Sequence, residues 1–103
     1  MTNEKISVLI ADDEANIRAG LKCIMDWEDM GYRVEYEASN GEEALNIINN
    51  SSPQVVVMDL NMPKIHGIDV IKKAREAGYE GRFIILSGYS DFKYAQSAIR
   101  YGV

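Results

Sequence analysis

Two apolar runs that each stop at acid constrain this chain most. Ile6-Ser7-Val8-Leu9-Ile10-Ala11 leads directly into Asp12 and Asp13, and Val55-Val56-Val57-Met58 leads into Asp59. Short apolar runs of this kind read as buried strands. Stretches with helical spacing separate them, and a βα alternation argues for a parallel sheet covered by helices on both faces. In such sheets ligands bind beyond the carboxyl ends of the strands, which is where all three acids fall. Uncompensated carboxylates held close repel one another, so the cluster calls for a proton or a cation. Oxygen donors with no His or Cys near them in sequence favour a hard cation, Mg²⁺ foremost.

The rest of the chain continues the alternation. Glu14 to about Asp26 reads as a helix with Ile17, Leu21, Ile24 and Met25 on one face. Val34 to Ala38 reads as an edge strand, with Val34, Tyr36 and Ala38 on alternate positions. Ser39 or Asn40 then caps a helix carrying Ala44, Leu45 and Ile48, which ends in the turn cluster Asn49-Asn50-Ser51-Ser52-Pro53. After the third strand comes the loop Leu60-Asn61-Met62-Pro63-Lys64-Ile65-His66-Gly67. A helix from about Ile68 to Ala77 follows, with Ile68, Ile71 and Ala74 on one face and Gly78 as its left-handed stop. Phe83 to Leu86 is a fourth strand ending at Ser87-Gly88, and a last helix from about Asp91 to Tyr101 turns Phe92, Ala95, Ala98 and Ile99 inward.

Composition narrows the class. A chain of 103 residues is one domain, 1–103, and buries roughly 60–70% of its unfolded surface. Eleven Lys and Arg against 16 Asp and Glu give a net charge of −5 without a basic stripe, which excludes direct nucleic-acid binding by this segment. The single Cys23 has no internal disulfide partner and reads as a buried thiol in a reducing cytoplasm. No apolar stretch approaches the ~20 residues that span a bilayer, and Met-Thr-Asn-Glu-Lys is not a signal sequence, so a soluble intracellular protein with no membrane partner is expected.

The strand-end acids then acquire roles. A carboxylate at a strand end, backed by a cation, attacks phosphoryl groups to form an acyl phosphate, and Asp59 is the nucleophile of choice. Asp13 binds the cation directly and Asp12 through water, while the backbone carbonyl of Asn61 completes the protein ligands. Ser87 donates its hydroxyl to a phosphoryl oxygen on Asp59. Each assignment has a plainer rival. An Asp after a strand is often only a helix cap, Ser-Gly is ordinary turn punctuation, and His66, in a Pro/Gly loop, reads as a solvated loop residue. Trp27 reads as an anchor for the connection before Gly31, and the five Met as packing or loop residues.

Asp12-Asp13-Glu14 after the first strand, Asp59 followed by Met62-Pro63 and Gly67, and Ser87 after the fourth strand together resemble the receiver domain of two-component response regulators. The resemblance covers the whole chain and implies the flavodoxin-like 2-1-3-4-5 sheet. It implies Asp59 as phosphoacceptor from a histidine kinase, Asp12 and Asp13 as the acidic pair for Mg²⁺, and Ser87 as the switch hydroxyl. The implied protein is a phosphoacceptor that assists its own phosphorylation, not a turnover enzyme. Trp27 before Gly31, Ala38-Ser39-Asn40-Gly41-Glu42-Glu43-Ala44-Leu45 and Ser87-Gly88-Tyr89-Ser90-Asp91-Phe92-Lys93-Tyr94-Ala95 are similar to receivers ahead of an AraC-type helix-turn-helix output domain. A DNA-binding transcription regulator is then the parent protein.

Two positions depart from the family pattern. His66 replaces a residue that is commonly acidic, and the fifth strand with its Lys, together with the fifth helix, lies beyond Val103. The expected sheet within this chain is therefore 2-1-3-4, a receiver incomplete at its C-terminus. Its uncovered fourth strand favours homodimers through edge pairing or a swapped element. The alternative function is an incomplete receiver that only holds a cation or a protein partner. A haloacid-dehalogenase-type phosphatase would want Asp-x-Asp after the first strand, a spacing that Asp12-Asp13 lacks.

Overall fold

The apolar runs form one parallel sheet whose carboxyl edge gathers the acids. The computed structural model describes residues 4–86. Its elements are β1 (Ile6–Ala11), α1 (Ala15–Cys23), β2 (Tyr32–Ala38), α2 (Gly41–Ser51), β3 (Val55–Asp59), α3 (Gly67–Glu76) and β4 (Arg82–Leu86). The strands are all parallel, in the order β2-β1-β3-β4. This is the α/β flavodoxin-like receiver arrangement anticipated from the sequence. Ala11 lies level with Ala38 on one side and Met58 on the other, so the next residues, Asp12 and Asp59, leave the sheet at the same edge. The expected last helix and Ser87 fall outside the described residues.

Strand alternation divides the core in two. Leu9, Ala11, Val56, Met58 and Phe83 pack with Ala38, with Ala44 and Ile48 of α2, and with Val70, Ile71 and Ala74 of α3. Val8, Ile10 and Val57 point to the other face, where Leu21 of α1, Trp27 and Leu86 meet them. Successive side chains of a strand face opposite ways, so each apolar run supplies both layers. Asn40 caps α2 by accepting from the Glu43 amide at 2.8 Å, and Glu43 returns a carboxylate to the Ser39 amide and hydroxyl.

Several boundaries and burial expectations change. α1 ends at Cys23, three residues short of Asp26, because Asp26 instead accepts from the Asp29 amide and opens a turn that closes at Gly31, φ 94°. Cys23 is exposed, not buried. Leu21 carries the helix's contact with the sheet, and two residues further on is roughly 200° around the axis. Ile17 and Ile24 of the expected apolar face are exposed as well, at 40% and 70%. Trp27 does anchor the connection: its indole N–H donates to the Leu21 carbonyl at 3.0 Å and its ring meets Tyr32 edge-on. Tyr32 and Arg33 lengthen the edge strand by pairing with Ile6 and Ser7. His66 is no solvated loop residue, since its Nδ1 caps α3 by accepting from the Ile68 amide at 3.2 Å.

Candidate functional site: the acidic carboxyl edge

Asp12 leaves β1 as a buried residue, with 5% of its surface exposed. Its amide still extends the ladder, donating to the Ala38 carbonyl at 3.0 Å. Its Oδ1 accepts from the Glu14 amide at 2.9 Å, an Asx-type turn that starts α1. The capping reading is not met: the N-cap of α1 is Glu14, whose side chain makes no capping bond, and the Asp12 side chain bonds only the amide of that residue, which engages one of its two carboxylate oxygens. Asp13 and Glu14 follow, both exposed. Asp12, Asp13 and Glu14 can each offer a ligand atom within 4.8 Å of the others. Glu14 can thus offer a third oxygen, although the sequence reading counts it in the acidic motif without making it a ligand.

Asp59, half-buried, ends β3, and its Oδ1 accepts from the Asn61 amide at 3.1 Å. It stands outside the 4.8 Å trio yet belongs to the same electrostatic site. Burial holds the Asp12 carboxyl above its ordinary value; the charges of Asp59, Asp13 and Glu14 push the same way, and the Glu14 amide alone opposes them. Negative charge is in excess here, and the donors are hard oxygens, so the residues fit a divalent cation of the Mg²⁺ type.

The loop after Asp59 is fastened at both ends. The Gly67 amide donates to the Leu60 carbonyl at 2.8 Å, and the Gly41 amide to the Pro63 carbonyl at 3.2 Å. A Cβ at Gly67 would press on the Leu60 backbone, and one at Gly41 would collide with the Ile65 carbonyl. Close backbone approach, not chain flexibility, requires glycine at both places. Asn61 lies exposed on this loop.

Arg18 was not anticipated from the sequence at all. It reaches back from α1, its Nη1 donating to the Asp12 carbonyl at 2.7 Å and its Nε to Glu37 Oε1 at 3.0 Å. Lys22 donates to the other Glu37 oxygen at 2.6 Å, and these two cations hold the Glu37 carboxyl below the usual range, Lys22 more than Arg18. A cavity of about 560 Å³ opens elsewhere, among Ile6, Tyr32, Pro53, Gln54, Tyr79 and Arg82 at the amino edge of the sheet. It contains none of the acids described above.

A 2-1-3-4 parallel sheet with paired acids after β1 and one acid after β3 defines a receiver-type domain. The chain belongs to the response regulator receiver domain family, whose pattern it matches over residues 8–103. It is 40% identical over 96 residues to the transcriptional regulatory protein YesN of Bacillus subtilis, covering 93% of this chain and 26% of YesN. The chain thus spans about a quarter of that relative. It superposes on the receiver domain of AraT, a response regulator from Geobacillus stearothermophilus, with a TM-score of 0.86 at 43% identity, over 94% of this chain and 75% of that one. A chain of the CheX–CheY–BeF3–Mg²⁺ complex from Borrelia burgdorferi gives a TM-score of 0.83 at 26% identity, over 96% of this chain and 74% of that one. Among the described residues no helix is long and apolar enough to cross a membrane.

Proposed function

We propose that this receiver domain accepts a phosphoryl group from a histidine kinase onto Asp59, with Mg²⁺ held by Asp12 and Asp13. The observation that carries the proposal is the electrostatic one: Asp12 is buried against the charges of Asp13, Glu14 and Asp59 at one sheet edge. An Asp59 carboxylate oxygen attacks phosphorus, the bond from phosphorus to the kinase imidazole nitrogen breaks, and its electron pair stays on that nitrogen. The Asn61 amide orients the Asp59 carboxylate. Bound Mg²⁺ would neutralise charge on the transferring group, as in phosphoryl transfer generally. The Asn61 carbonyl is assigned to the same cation, with Glu14 as a further oxygen donor, and Ser87 to a phosphoryl oxygen. The Mg²⁺ and BeF3 of the CheX–CheY complex support the pairing of cation and phosphoryl mimic.

Phosphorylation adds about −1.5 to −2 charge at Asp59. That charge draws Ser87 and shifts the surface that faces an output domain. The output is transcriptional, as the likeness to the transcriptional regulatory protein YesN supports, and of AraC type, as the sequence resemblance implies. The domain acts in the cytoplasm, contacts no nucleic acid itself, and assists its own modification without turning over a substrate. Incubation with acetyl phosphate and Mg²⁺, resolved on a phosphate-affinity gel, tests the core of this reading. The wild-type chain should shift and Asp59→Asn should not; equal shifts would remove Asp59 from its role.

Homodimer formation through β4 is part of the proposal. Among the described residues β4 pairs only with β3, and Ile84 on it is 52% exposed. Light scattering across micromolar concentrations should show mass rising toward the dimer, and a constant monomer mass would count against it.

A further inference from the structure

Arg18 does nothing in the phosphoryl-transfer account, yet it is the side chain most directly tied to the acidic loop. Its guanidinium touches three elements at once: it grows from α1, pairs with Glu37 on β2, and donates to the carbonyl of Asp12 where β1 ends. That carbonyl belongs to the peptide that joins Asp12 to Asp13. A peptide is planar, so fixing its oxygen fixes the plane from which the two acids depart. The Asp12 amide is held by the Ala38 carbonyl and its Oδ1 by the Glu14 amide, and the Arg18 bond adds the third restraint. Arg18 is itself held: its side chain is 17% exposed, and Glu37 is gripped from its other oxygen by Lys22.

We propose that Arg18 is a positioning residue for the cation site, setting the relative direction of Asp12 and Asp13 through the Asp12 carbonyl, with Glu37 as its anchor. The inference rests on the Mg²⁺ reading above. Arg18 spends its bonds on a carbonyl and a carboxylate, so its role is indirect. Its planar fork can bond a carbonyl and a carboxylate from separate nitrogens at fixed angles, which a lysine ammonium on a flexible stem does not reproduce. Outer-shell bonds of this kind govern metal affinity by orienting the ligands.

The geometry opposes simple electrostatics, and that separates the two. A cation beside a cation site repels Mg²⁺, so as a mere charge Arg18 would weaken binding and its removal would tighten it. As a positioning residue its removal loosens the pair and weakens binding. The experiment is Mn²⁺ binding to the purified chain followed by electron paramagnetic resonance, with Mn²⁺ as the visible substitute for Mg²⁺. Wild type, Arg18→Met, Arg18→Lys, Glu37→Gln and Asp13→Asn are compared, and each is melted in EDTA to establish that it folds.

Arg18→Met should bind about 10-fold more weakly, the low end of outer-shell effects. Arg18→Lys should recover little of that loss although the charge is restored, and Glu37→Gln should lose less in the same direction. Unchanged or tighter binding by Arg18→Met, or full recovery by Arg18→Lys, with Asp13→Asn still impaired, overturns the inference and leaves the site reading standing. Unchanged binding by Asp13→Asn overturns the site reading, and the inference with it. If Arg18→Met does not fold in EDTA, Arg18→Lys decides, because it keeps the charge: weaker binding supports the positioning role and wild-type binding refutes it.

Discussion

Asp12 carries a conflict that the fold resolves only with help. Burial and the charges of Asp59, Asp13 and Glu14 raise its carboxyl above the ordinary value of 3.8. A raised carboxyl holds its proton more tightly folded than unfolded, so its contribution favours the fold at pH below the unfolded value. That contribution is lost as pH rises through the folded one. Once ionised, Asp12 therefore works against the fold. Asp12→Asn keeps the Oδ1 acceptor for the Glu14 amide and removes the charge. In EDTA at pH 7 its melting midpoint should rise by a few degrees, since about 1 kcal/mol moves a domain of this size by roughly 4–8 °C. Mg²⁺ should stabilise the wild type more than the variant, by ligand linkage. A lower midpoint for Asp12→Asn in EDTA would contradict the electrostatic account. At this scale the acids were legible because a carboxylate after a strand has few uses. Arg18 was not, since a partner reached across 6 and 19 positions leaves no local pattern.

The elements hold the site by their ends. α2 begins with Asn40 over the Glu43 amide, and one residue later Gly41 lies against the loop that carries Asn61. Asn40→Ala should lower stability by about 1 kcal/mol, the usual worth of such a cap. Gly41→Ala should cost about 1–3 kcal/mol, because its methyl meets backbone that cannot yield easily. Urea unfolding followed by circular dichroism gives both values, and a neutral Gly41→Ala would show that the loop moves freely. Strand alternation, a cap at Ser39 or Asn40, of which the structure takes Asn40, and the Gly78 stop, φ 95°, were readable because each follows from local backbone chemistry. The end of α1 was not. Ile24 and Met25 continue the helical spacing, but the Asp26 turn competes with it, and burial in α1 depends on what lies over its outer face. His66 was misjudged for a related reason: its capping bond needs the neighbouring helix to be in place.

Over the whole molecule the sequence specifies one arrangement at every level. Two core layers drawn from the same strands seat α2 and α3 on one face and α1 on the other, and all the strand-end acids leave at one edge. A βα alternation with short crossovers limits the sheets a chain can form, and the order β2-β1-β3-β4 is one of those it leaves open. The distribution of charge within the edge did not follow from topology, and the structure assigns Asp12 its buried place and Asp13 and Glu14 their exposed ones. The central claim is that Asp59 is the atom-level acceptor beside those acids. Borohydride reduction of the chain after treatment with acetyl phosphate and Mg²⁺, followed by peptide mass spectrometry, tests it most directly. Reduction converts an aspartyl phosphate to homoserine, and the account predicts homoserine at position 59, dependent on Mg²⁺ and lost in Asp13→Asn. Homoserine at Asp12 or Asp13 instead, or unmodified Asp59 in a chain that has taken up phosphate, would contradict it.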